Sequence, residues 1–132
     1  MTPEAILTTA ADVFAPCALG GILDDRTVPR LRVAVVAGSA NNQLAAPRHG
    51  EAVAARGILY APDYVINAGG LISLAAGLAG HAPTGARTWT DVCRIGATLD
   101  EIFTRAEAEG RGPAAVADRL AAERIARHRQ RA

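Results

Sequence analysis

The sequence predicts an α/β fold in which a short parallel sheet is followed by a C-terminal helical pair. Short, nearly continuous apolar runs rich in β-formers alternate with segments carrying helix start and stop signals, as expected for parallel strands buried on both faces. Each run leads into small residues and glycine, and the second and third into side-chain amides as well. From Thr88 onward the apolar period changes from strand to helix.

The elements follow in order. "ADVFA" (Ala11 to Ala15), "RVAVVAG" (Arg32 to Gly38) and "GILYA" (Gly57 to Ala61) read as strands. Between them, "DDRTVPRL" reads as a helix with Asp25 or Thr27 as cap, and "APRHGEAVAARG" starts at a proline and stops at Gly57. "YVIN" reads as a fourth strand-like piece. "AGGLISLAAGLAG", Ala68 to Gly80, is shorter than a bilayer span and reads as a buried helix. Behind a Thr88 cap, Val92, Ile95, Leu99, Ile102, Phe103 and Ala106 recur at helical steps. Gly110 and Gly112 break that helix and Pro113 opens the next, whose stripe is Ala117, Leu120, Ala121 and Ile125. The arginine-rich end, "RIARHRQRA", reads as a solvated helix terminus favoured by the helix dipole.

Composition narrows the chemistry. A chain of 132 residues, half of them apolar, suits one soluble domain. A net charge of +1 argues against nucleic acid or a membrane surface as partner. All fourteen basic residues are arginine, so no lysine is present for Schiff-base or general-base work. The N-terminus carries an acid and no base before its apolar part, unlike a secretory signal, so a cytoplasmic location is expected. Cys17 and Cys93 match no metal or redox spacing and read as small core residues, while His49, His81 and His128 read as surface or helix-end residues with no metal spacing.

The stretch "YAPDYVINAGG" asks why an apolar run should end in an aspartate, an asparagine and two glycines, which are poor strand formers. Ligands of open α/β sheets bind beyond the carboxyl ends of parallel strands. The first strand runs into "APCALGG" and the second into "AGSANNQ", so parallel strands would bring Asn41, Asn42, Asp63, Asn67 and the glycines to one crevice. Ordinary turns explain any one of these segments alone. Together they suit a nucleotide cofactor, because amides donate and accept and glycine admits a flat ring. A phosphate-cradling glycine loop after a strand is missing; "GRGPAA" at Gly110 to Ala115 matches the pattern but lies between helices.

"VFAPCALGGILDD", "VVAGSANNQLAAPRHGE" and "GILYAPDYVINAGGLI", in this order and spacing, closely resemble the cofactor domain of the Glu/Leu/Phe/Val dehydrogenases, bacterial leucine and valine dehydrogenases above all. "VADRLAAERI", Val116 to Ile125, is similar to the family's closing segment. The resemblance implies the C-terminal half of a Rossmann-type parallel sheet over residues 1–87, with residues 88–132 forming helices that pack on it or on a partner. It implies NAD as cofactor and oxidative deamination of an amino acid to a 2-oxo acid.

By motif position, Ala15, Pro16 and Cys17 resemble the loop beside the adenosine ribose, and Asn41 and Asn42 the amides near the nicotinamide and the substrate carboxylate. Asn67 and Gly69 resemble the turn bordering the nicotinamide, and Leu71 and Leu74 the lining of the pocket for the substrate side chain. The family's catalytic lysines and aspartate, and the glycine-rich fingerprint, belong to a region preceding these motifs and have no counterpart here, so no catalytic residue is assigned. The expectation is a chain inactive alone, binding NAD weakly, and forming a homo-oligomer or joining a catalytic-domain partner. The alternative is a truncated, non-catalytic paralogue serving as an interaction or regulatory subunit, or a gene remnant.

Overall fold

The computed structural model describes residues 2–130. The last residues of the arginine-rich end, Arg131 and Ala132, lie outside the described residues. Helix α1 (Pro3–Thr8) is capped by the Thr2 side chain, which accepts from the Ala5 N–H. Strands β1 (Ala10–Phe14), β2 (Arg32–Val36) and β3 (Leu59–Tyr60) form one parallel sheet in that order. Its register pairs Phe14 with Val36 and Val36 with Tyr60. All three are buried, so a single apolar layer crosses the sheet just before its carboxyl edge. Leu23, Val28, Leu31, Val53 and Ile58 complete that core.

The strands are not buried on both faces. Every position of β1 except Phe14 is exposed, and β2 alternates exposed and half-buried until Val36. The apolar runs thus report strand propensity, while among the described residues cover is concentrated at the strand ends.

Helix α2 (Arg48–Ala55) follows Pro47 and gives way to Gly57, whose φ of +70° suits glycine. "DDRTVPRL" forms no full helix, only a 3-10 turn at Val28–Arg30. Asp24 accepts from the Arg26 and Thr27 N–H groups at 2.9 and 2.7 Å, and this local bonding competes with a helix. Thr27 makes no cap; its hydroxyl donates to the Ile22 carbonyl. Asp25 pairs with Arg48 and His49 instead.

"YVIN" is helical. Pro62 leads into α3 (Asp63–Ile66), where the Ile66 and Asn67 N–H groups donate to the Pro62 and Asp63 carbonyls. Helix α4 (Gly69–Leu78) exists as expected but has no buried residue; Leu71, Leu74 and Leu78 are 70%, 61% and 85% exposed. Its apolar composition therefore marks an open face and not a core.

Helix α5 (Ala86–Glu109) starts behind Gly85, three residues before the Thr88 expected as its cap; Thr88 lies within the first turn, buried, its hydroxyl donating to the Ala82 carbonyl. Gly110, at φ +60°, ends α5, and α6 (Pro113–Arg129) begins at the proline. Ile102, Ala106, Val116, Ala117 and Leu120 form a second core between them, with Val65 of α3 and Phe103 against it. Ile125, at the far end of the α6 stripe, is exposed. Glu51 ties the helical pair to α2 by accepting from the Gly112 N–H at 3.3 Å. No described helix is long and apolar enough to cross a membrane.

Candidate functional site

The loops leaving β1 and β2 are zipped together beyond the sheet. Ala37 donates to the Phe14 carbonyl at 3.0 Å, Ala40 to Pro16 at 2.9 Å and Gly21 to Asn42 at 2.7 Å. A parallel bridge between Leu23 and Leu44 closes the far end. Two glycines permit this contact: an added Cβ at Gly20 would meet the Asn41 carbonyl oxygen at 2.5 Å, and one at Gly38 would meet that of Pro16 at 2.2 Å. Asn42 takes a left-handed φ of +53°, a conformation its residue type tolerates better than most.

This arrangement brings most of the predicted positions to one edge. Asn67 Nδ2 donates to Asn41 Oδ1 at 2.6 Å and to the Ser39 carbonyl at 3.3 Å. Cys17 is exposed and hydrogen-bonds Ser39, whose side chain and backbone hold the thiol below its ordinary pKa. Neither cysteine is a core residue, since Cys93 is exposed as well. Pro16 is buried under the loop, between exposed Ala15 and Cys17.

Asn41, Tyr64, Asn67, Gly70, Leu71 and Leu74 line a cavity of about 460 Å³. Asn42 does not join it. Its side borders a second cavity of about 430 Å³ with Arg48, Tyr60, Asp63, Arg111 and Asp118. The two adjacent asparagines therefore serve different hollows. Gly69 and Gly70 open α4 with nothing within 4 Å of where a Cβ would stand, so no contact among the described residues accounts for either glycine.

Sequence reasoning missed the buried support of this edge. Gln43 is fully buried, its Nε2 donating to the Gly38 and Ala40 carbonyls at 2.9 Å each. Tyr60 donates to Asp63 Oδ1 at 3.2 Å; burial first, then the Asp63 charge, pushes its phenol well above the ordinary range. Tyr64 donates to Asp118 at 2.7 Å and is likewise pushed up, by burial and by that bond. The spacing of Tyr60 and Asp63, aromatic and acid three apart at a strand end, was the one available signal.

His49, expected at the surface or at a helix end, stands in the first turn of α2 and is 3% exposed. Its Nδ1 accepts from the Ala46 N–H at 2.9 Å, so the ring proton of the neutral form sits on Nε2, 3.1 Å from Asp25. That pair braces the turn before β2 against α2. Among the described residues no cluster of three or more His, Cys, Asp or Glu is placed to hold a metal.

The sequence model of the Glutamate/Leucine/Phenylalanine/Valine dehydrogenase family matches residues 1–130. Valine dehydrogenase of Streptomyces albus is 52% identical over 130 residues, which are 98% of this chain and 35% of that protein. Leucine dehydrogenase of Geobacillus stearothermophilus is 46% identical over 123 residues, 93% of this chain and 33% of that protein. The crystal structure of L-tryptophan dehydrogenase from Nostoc punctiforme superposes with a TM-score of 0.89 at 43% identity, over 97% of this chain and 38% of that one. The chain spans about a third of the length of the curated relatives it matches. It belongs to the Glutamate/Leucine/Phenylalanine/Valine dehydrogenase family.

Proposed function

We propose that this chain supplies the NAD-binding C-terminal portion of a branched-chain amino acid dehydrogenase, which deaminates leucine- or valine-type amino acids oxidatively to 2-oxo acids. One observation carries the reading. The strand-end loops join Asn41 and Asn67 side by side next to two helix-opening glycines that no described residue requires. With no side chain at either position, the backbone at the start of α4 is open to close approach from outside.

The residues fit the cofactor on chemistry. The Asn41–Asn67 pair offers carboxamide donors and acceptors to a carboxamide-bearing ring, and the bare α4 start leaves room for a flat face. Ala15, Pro16 and Cys17 would border the ribose. Asn42 would meet the substrate carboxylate, and exposed Leu71 and Leu74 would narrow the pocket for its side chain. NAD, when bound, supplies the hydride acceptor. These residues bind and orient, and the chain contains no lysine to serve as general base. Residues 1–87 would serve the cofactor, and 88–132 would brace them or meet a partner, in a cytoplasmic homo-oligomer or beside a catalytic-domain chain. Two unpaired, exposed cysteines suit a reducing compartment.

The test is a chimera in which this chain replaces the matching third of the Streptomyces albus valine dehydrogenase. NAD-dependent deamination of valine or leucine supports the proposal. A folded, oligomeric chimera that neither binds NAD nor turns over would sink it. The 132-residue chain assayed alone should show no turnover.

A further inference from the structure

Asp63 begins α3 but does not cap it; no side-chain cap bond is made there. Its carboxylate is instead buried, the residue 9% exposed. Oδ1 accepts from the Tyr60 hydroxyl at 3.2 Å and Oδ2 from the Gln43 N–H at 3.3 Å. Taking a carboxylate out of water is costly, and two such bonds from neutral donors return only part of that cost. An apolar residue would be a cheaper filler. What the carboxylate does, and a filler would not, is accept from the end of β3 and from the loop behind β2 at once.

The Gln43 bond and the Asp63 main chain each lead to the asparagine pair. Gln43 stands two residues past Asn41, and its bonds to the Gly38 and Ala40 carbonyls close that loop into one braced turn. On the other side, the Asp63 carbonyl accepts from the Asn67 N–H at 2.9 Å, which fixes where α3 delivers the Asn67 side chain. Asn67 Nδ2 then meets Asn41 Oδ1 at 2.6 Å. Asp63 thus reaches the Asn41 loop through its side chain, by way of the Gln43 N–H, and Asn67 through its main chain.

We propose that Asp63 is a positioning residue of the cofactor site, a buried carboxylate that holds the Asn41–Asn67 carboxamide pair in register without itself touching the cofactor. The inference rests on the assignment of that pair to the nicotinamide, but the register of the pair is readable with no cofactor present.

The experiment is heteronuclear NMR of the full 132-residue chain, following exchange with water of the Asn41 and Asn67 side-chain amides. Wild type is compared with Asp63→Ala, Asp63→Asn and Tyr60→Phe, with circular dichroism and the backbone amides of α5 and α6 as controls of folding. In Asp63→Ala the Asn67 amide protons should exchange about tenfold faster or more, the scale set by losing hydrogen bonds to a charged acceptor. Asp63→Asn should recover most of the protection, since its oxygen still accepts from Gln43 and its amide donates to the Tyr60 oxygen. Tyr60→Phe, with one tether gone, should exchange about threefold faster, as for one modest hydrogen bond. A residue that contributed stability alone would lower the melting temperature and leave Asn67 exchange at its wild-type rate below the transition. That result in Asp63→Ala, or in Tyr60→Phe should the alanine variant not fold, overturns the proposal. The cofactor assignment fails separately, in the chimera, where NAD binding and turnover are the readouts.

Discussion

Gly38 lies so tightly against Pro16 that a methyl group on its α-carbon would stand 2.2 Å from the Pro16 carbonyl oxygen and 2.5 Å from the Pro16 nitrogen. Both obstacles are backbone, and no rotamer change can move them. Gly38→Ala should therefore exceed ordinary overpacking and cost about 3 kcal/mol or more. Urea unfolding measures it, and a midpoint within error of wild type would show that the two loops are not zipped as described.

Gly69 and Gly96 present the opposite case, since an added Cβ meets nothing within 4 Å at either position. Gly96 sits inside α5 and is exposed, so Gly96→Ala should stabilise by about 0.5–1 kcal/mol with no effect on cofactor affinity. Gly69→Ala should be neutral or mildly stabilising by the same measure while raising the KM for NAD in the chimera. Equal KM values for the two variants would remove Gly69 from the site.

These contrasts show what the sequence made legible. The three strands, the helix from Pro47 to Gly57 and the α5–α6 break at Gly110 were readable because each is set by local propensity or a backbone position that favours glycine or proline. "YVIN" was misread because its residue types favour strands, while Pro62 before it and the bonding of Asp63 bend the backbone into a helical turn. The burial of α4, Cys17 and Cys93 was misjudged for another reason. Apolar composition says that a residue can be covered, and only the arrangement of the remaining elements says whether it is. Within the site, Asn41, Asn67 and Asp63 were legible by type and by strand-end position. Gln43 and His49 were not, since their roles come from long-range hydrogen bonds that leave no periodic trace.

Asp24 and Glu109 give stability a pH dependence of known sign. The Thr27 backbone N–H, its strongest cause, holds the Asp24 carboxyl below the ordinary range, and hydrogen bonding to Arg119 does the same for Glu109. A depressed folded-state pKa contributes stability that is present above the unfolded value and lost as pH falls through the folded one. Urea midpoints should thus decline below about pH 4, the ordinary carboxylate range. Glu109 is exposed and Asp24 half-buried, so the two contributions differ in salt: the Glu109–Arg119 pair weakens at high ionic strength and the Asp24 turn, bonded to neutral N–H groups, does so less. Glu109→Gln and Asp24→Asn should each flatten the acid decline. Curves parallel to wild type for both would refute the assignment.

The 132-residue chain should self-associate at micromolar concentration. Strand β1 pairs only with β2 among the described residues, leaving its other edge free, and Val13 on it is 52% exposed with Asp12 the one charge in the strand. Open edges of this kind recruit further strands. Helix α4 adds Leu71, Leu74 and Leu78, and Trp89 of α5 is exposed as well, an apolar surface of the kind that marks an interface or an aggregation liability. The two features separate by substitution, because Val13→Lys burdens the edge with charge and Leu74→Glu burdens the helix face. Light scattering should report a species larger than the monomer for wild type, and whichever variant returns it to monomer identifies the contact. A monodisperse wild-type monomer with cooperative thermal unfolding would defeat the prediction, and would mean that neither the strand edge nor the α4 face is sticky enough to outweigh the entropy of association.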